Sequence, residues 1–200
     1  MFYKIIEKKR NEWLNSPDCV VGDLIAYIVR QGRLRDAQIE SVKTYLFLKI
    51  ACGNRPMWQL FASGRFCTTD VDSLEVTSAT RRILRSNPAA LALWEYASIN
   101  DHSGKPFSPK IIEAIKQNPE AIDYEAVIKN LFFNVTYTDY LFSLPMGAGK
   151  TFLMAVLIYL NLYFATLEPQ NEAFAHNFII FVPSGLKSSI IPSLRDIQNF

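Results

Sequence analysis

From Phe152 to Leu167 the chain carries an almost unbroken apolar run, interrupted by Asn161 and closed by Glu168 and Pro169. At about 1.5 Å per residue it would reach about 24 Å as a helix, short of the roughly 30 Å hydrocarbon layer of a membrane. Such a run reads as a helix buried on most sides, as when a helix packs against a parallel sheet. Its flanks narrow the fold further. Tyr140 to Leu144 is a short run of strand formers, and Pro145-Met146-Gly147-Ala148-Gly149 lies between it and the helix, which opens at Lys150-Thr151. Downstream, Phe178-Ile179-Ile180-Phe181-Val182 is a continuous apolar run bounded by Asn177 and Pro183. Strand, loop, helix, strand predicts one crossover unit whose parallel strands need cover on both faces.

The loop carries the clearest chemistry. A phosphate cradle needs backbone amides aimed at oxygens, with no side chains where the chain wraps the ligand, and Gly147 and Gly149 supply that freedom. Lys150 supplies a mobile positive charge for the outer phosphates, and Thr151 offers a hydroxyl to magnesium. The start of the following helix adds its positive end. The expected ATP-binding set is therefore Met146, Gly147, Ala148, Gly149, Lys150 and Thr151, with Lys150 and Thr151 as catalytic side chains and Thr151 as the magnesium ligand. The general phosphate-loop pattern has a glycine where Leu144 stands here, which argues against small GTPases, nucleotide kinases and transporter ATPases.

Met146 to Thr151 resembles the first motif of superfamily-two helicases of the DEAD/DEAH type, nearest to the helicase subunits of type III restriction enzymes. Phe178 to Val182 with Pro183-Ser184-Gly185-Leu186 is similar to that family's next motif, a hydrophobic strand ending in Val-Pro and a polar turn. Leu34-Arg35-Asp36-Ala37-Gln38 resembles the Leu-Arg-x-x-Gln segment whose glutamine reads the adenine edge. The resemblance implies an α/β chain: a helical N-terminal region followed by the first strands of an incomplete RecA-like P-loop domain. It further implies ATP and magnesium as cofactors, Gln38 at the adenine, and DNA as partner with Ser184 and Lys187 on its phosphates. The function implied is ATP-driven unwinding or translocation on DNA, with restriction or phage defence as a setting. Gln38 lies 112 residues before Lys150, farther than relatives place it, so a helical insertion is expected between them. No acidic pair follows Phe181, and the chain reads as the N-terminal piece of a longer protein, inactive in hydrolysis alone. The competing class is a non-motor phosphate-loop signalling NTPase with a helical protein-binding insert.

The expected domains are 1–51, N-terminal helices; 52–134, the helical insertion; and 135–200, the start of the ATP-binding domain. Within them, apolar spacing predicts helices over 23–30, 36–49, 57–61, 80–86, 89–97, 108–116 and 124–133. Asn87 with Pro88, and again Asn118 with Pro119, read as helix starts.

A net charge of +2 neither announces nor excludes a nucleic-acid partner. Three cysteines without metal-ligand spacing fit reduced thiols, and the first ten residues have the wrong order for a signal peptide. A cytoplasmic protein without membrane attachment is expected. Arg81, Arg82 and Arg85, and likewise Lys8-Lys9-Arg10, read as solvated helix faces, with contact to a nucleic-acid backbone as the alternative for the first group. His102 and His176 stand apart from any acidic or thiol partner in sequence, and Trp13, Trp58 and Trp94 read as core.

Overall fold

The computed structural model describes residues 2–100 and 104–181, and beyond them Gly185, Ser188, Ile191, Pro192 and Arg195. It divides into two compact units: Met1–Lys9 with Arg55–Asp139, and Arg10–Asn54 with Tyr140–Phe200.

The first unit is built on α4 (Met57–Ala62), α5 (Ser78–Ser86), α6 (Pro88–Ser98), α7 (Pro109–Gln117) and α8 (Tyr124–Leu131), and takes in most of α1 (Phe2–Leu14). Asn87 accepts the amides of Ala89 and Ala90, and Pro88 fills the first turn of α6, so the helix starts where its own sequence demands. Alanines at 89, 90, 92 and 97 let neighbouring helices approach α6 closely, while Leu93 and Trp94 fill the core. Phe61 lies against Phe66 and Phe132 at ring separations of 4.8 and 5.3 Å. At Asn118-Pro119 the expected helix start fails: the Asn118 side chain caps nothing, and Pro119–Ala121 forms only a 3₁₀ turn.

The second unit contains α2 (Gly22–Arg30), α3 (Asp36–Leu46) and α9 (Lys150–Leu167). Its core joins Ile25 and Ile28 of α2, Val42, Tyr45 and Leu46 of α3, and Leu153, Val156, Leu160, Phe164 and Ala165 of α9. α9 is long and apolar enough to cross a membrane, yet this face is packed into the core. Asn161, the polar break in the apolar run, is buried. It donates to Leu157 O at 2.7 Å and to the Tyr45 hydroxyl, and accepts the Ala175 amide at 3.2 Å, so burial leaves it satisfied. After Leu46 the backbone loosens into a π-helical turn, Phe47–Ala51.

Two expectations are corrected here. The α/β architecture with RecA-like strands is not what the chain forms: the regular elements of the described residues are all helical, and their one β-bridge, Asn100 with Pro106, lies elsewhere. The apolar runs read as strands remain without ladder partners. Along Tyr140–Leu144 burial alternates; Tyr140, Phe142 and Leu144 pack on the core while Leu141 is 94% exposed. In the second run Ile179 and Phe181 face solvent. The period-two pattern is present, but a strand also needs a neighbour for its amides and carbonyls, and neither run has one among the described residues. Arg10 is the second correction. It is 1% exposed, with its guanidinium on Glu40 Oε2 at 2.5 Å, Thr44 Oγ1 at 2.8 Å and Glu40 O at 3.2 Å.

Candidate functional site

The glycine loop reaches α9 through Gly149, whose φ of 76° and ψ of 43° place it in the left-handed region. Gly147 has the same φ of 76°. Ala148 N donates to Pro145 O at 3.2 Å, closing the turn, and Leu153 N donates to Gly149 O at 3.0 Å, the first bond of the helix. The amides of Lys150 and Thr151 therefore lie ahead of the intrahelical ladder, at the positive end of an 18-residue helix. Lys150 is exposed and Thr151 half-buried, and Met146 is 97% exposed.

The loop is held from a distant part of the chain. Gln38, in the first turn of α3, is buried, and its side-chain amide is oriented by two partners of opposite kind. Oε1 accepts the Arg35 amide at 2.8 Å, and Nε2 donates to Gly149 O at 2.9 Å. Arg35 donates its guanidinium to Gly147 O. Two loop carbonyls are thus fixed by residues 112 and 111 positions upstream. Gly149 is required by space as well as by φ, since a Cβ there would meet Gln38 Nε2 at 2.6 Å; around Gly147 a Cβ would meet nothing within 4 Å.

Of the expected site residues, the structure brings Gln38, Gly147 and Gly149 together at the head of α9, with Ala148, Lys150 and Thr151 beside them in the same loop. Ser184 and Lys187 lie outside the described residues, as does His102; His176 is exposed. Arg35 is an addition to the set. It was visible in the sequence only as part of Leu34–Gln38, and its place over Gly147 is a tertiary fact.

Two cavities border α9. One of about 260 Å³ is lined by Lys150 and Asn161 and otherwise by apolar side chains, among them Phe142, Leu144, Leu153 and Phe178. The other, about 450 Å³, lies at the far end of α9, by Glu168 and Lys49. Lys49 donates to Ala173 O at 2.6 Å, and burial lowers its pKa. Of the residues Gly147–Thr151, only Lys150 enters the lining of the first cavity and none enters that of the second. No group of three or more His, Cys, Asp or Glu able to hold a metal occurs among the described residues. The chain matches no protein-family model, no curated protein and no solved structure.

Proposed function

We propose that this chain binds the phosphates of ATP at Gly147–Thr151, as the ATP-binding part of a cytoplasmic DNA helicase or translocase of the restriction or phage-defence kind. The observation that carries the ATP reading is the meeting of Gln38 with Gly149 at 2.9 Å across 111 residues. A segment resembling an adenine reader and a segment resembling a phosphate cradle have no local reason to touch. The motor reading rests on the three sequence motifs alone.

The loop suits a polyphosphate. Its first-turn amides point out of the helix start, Lys150 is exposed beside them, and the space around Gly147 is open. Arg35 and Gln38 draw the Gly147 and Gly149 carbonyls to themselves, and the Lys150 and Thr151 amides, ahead of the helical ladder, are left to face an anion. Magnesium bound chiefly through phosphate oxygens, with one hydroxyl from Thr151, requires no carboxylate cage. Gln38 keeps a second amide hydrogen and a second lone pair, but at 2% exposure it meets an adenine edge only if the side chains over it move aside. The helical unit at Arg55–Asp139 favours a second reading, a non-motor NTPase whose insert binds another protein; DNA-stimulated hydrolysis separates the two.

The test is titration of the chain with ATP and with CTP in the presence of magnesium. Lys150→Ala removes most of the affinity for both, because it deletes the side-chain charge over the phosphates. Gln38→Ala weakens ATP more than CTP. Unchanged binding in Lys150→Ala refutes the site, and equal loss for the two nucleotides confines Gln38 to holding the loop.

A further inference from the structure

We infer that α5 carries a phosphate-binding face that takes the backbone of a nucleic acid. A cavity of about 410 Å³ on this helix is lined by Ser78, Arg81, Arg82, Arg85 and Ser86 and by nothing else. These positions follow the helical period, so the five side chains lie along one face. Each can donate hydrogen bonds and none is acidic, a lining that selects an oxyanion over a neutral or cationic ligand.

The present partners of the arginines leave them available. Arg82 pairs with Glu120 at 2.5 Å and Arg85 pairs with Asp72, but all four side chains are more than half exposed, and ion pairs in water exchange readily. Arg81 donates through one terminal nitrogen to Leu74 O at 2.8 Å, while its Nε is buried without an acceptor. That buried Nε is closed to solvent, so an anion would engage Arg81 through its terminal nitrogens. Ser78 opens the nine-residue helix, so its positive end adds to the same site. Asp72 and Glu120 hold the two outer forks in place until an anion displaces them.

A nucleic-acid backbone matches a row of forks better than one free phosphate does, because successive phosphates can engage successive arginines. The proposal shares with the ATP reading only DNA as a partner, and it stands on a different unit of the chain.

The experiment is fluorescence anisotropy of the 200-residue chain with a short mixed-sequence DNA duplex at graded salt. Three phosphate contacts contribute about 2.7 to the slope of log K against log salt, about a 40-fold change in affinity between roughly 50 and 200 mM. Replacing Arg81, Arg82 and Arg85 together by Gln removes that part of the slope, and replacing them together by Lys keeps it, since the charge remains. Should the triple Gln variant not fold, R82Q and R85Q singly each lower the slope by about 0.9. A folded triple Gln variant with an unchanged slope overturns the proposal, as does a wild-type chain that does not bind duplex at low salt. Thermal protection by inorganic pyrophosphate that needs the arginines, without duplex binding, overturns the nucleic-acid assignment in favour of a small-anion site. Failure here is distinct from failure of the ATP reading: Lys150→Ala leaves duplex binding intact, and the triple Gln variant leaves ATP binding intact.

Discussion

Replacing Gly149 by alanine tests the link between α3 and the glycine loop, and its cost can be worked from two parts. The first is conformational: a φ of 76° is left-handed, which costs an L-residue about 1–2 kcal/mol. The second is steric. The new Cβ meets Gln38 Nε2 at 2.6 Å, well inside contact distance, and Gln38 Cδ at 3.6 Å. Gln38 is buried, so moving it breaks its bond to Gly149 O and strands an amide away from water, a further penalty of about 1–3 kcal/mol. Gly149→Ala should therefore destabilise the second unit by about 2–5 kcal/mol.

Gly147→Ala provides the internal control. Its φ is the same, but the space around it is open, so only the conformational part applies, about 1–2 kcal/mol. The decisive measurement is the cost of Gly149→Ala in a Gln38→Ala background. With the amide gone the clash is gone, and Gly149 O keeps the Leu153 amide as a donor. The cost should fall to that of Gly147→Ala, a coupling of about 1–3 kcal/mol. Native-state hydrogen exchange at the amides of α3 and α9 reads these changes in the unit concerned. Additive effects of Gln38→Ala and Gly149→Ala would refute the reasoning.

Three further outcomes follow from the packing and its charges. Arg10→Ala removes the buried partner of Glu40 and Thr44 and should cost about 3 kcal/mol in urea unfolding, the lower end of the range because Glu40 keeps some solvent. Burial raises the Glu40 pKa, but its bond to Lys43 and the charges of Arg10 and Lys43 outweigh this and lower it, so the pair stabilises above the ordinary value of 4.5 and the gain is lost as pH falls through the lowered pKa; Glu40→Gln should flatten that acid limb. Burial and the Glu95 carboxylate push the Cys67 thiol up to about 12, and Glu95 is held there by the Thr68 and Thr69 amides at 2.6 and 2.5 Å. At pH 8 iodoacetamide should alkylate native Cys67 on the order of tenfold to a hundredfold more slowly than in the urea-unfolded chain, and equal rates would contradict this environment.

What could be read from the sequence was what neighbouring residues decide among themselves. Asn87 and Pro88 fix the start of α6 because the cap and the proline act within one turn, and the run after Lys150 is a helix because its apolar residues need only an interior. The absence of a sheet among the described residues was not legible, since alternation along Tyr140–Leu144 selects an extended chain but does not reveal whether a strand lies beside it. Arg10 misled for a related reason: a charge triplet looks solvated unless the positions of Glu40 and Thr44 are known. Gly149 combines both kinds of constraint. Its local role, a left-handed entry into α9 with bare amides, is readable from Gly-x-Gly-Lys-Thr. Its second role, leaving room for the Gln38 amide, is invisible in the loop sequence, although it ties the identity of residue 149 to that of a residue 111 positions away. Each role alone would tolerate compromise: alanine can be strained into the left-handed region, and glutamine can be turned aside. Together they exclude any side chain at 149 while Gln38 stays in place, so changes at 149 can be accommodated only together with changes at 38.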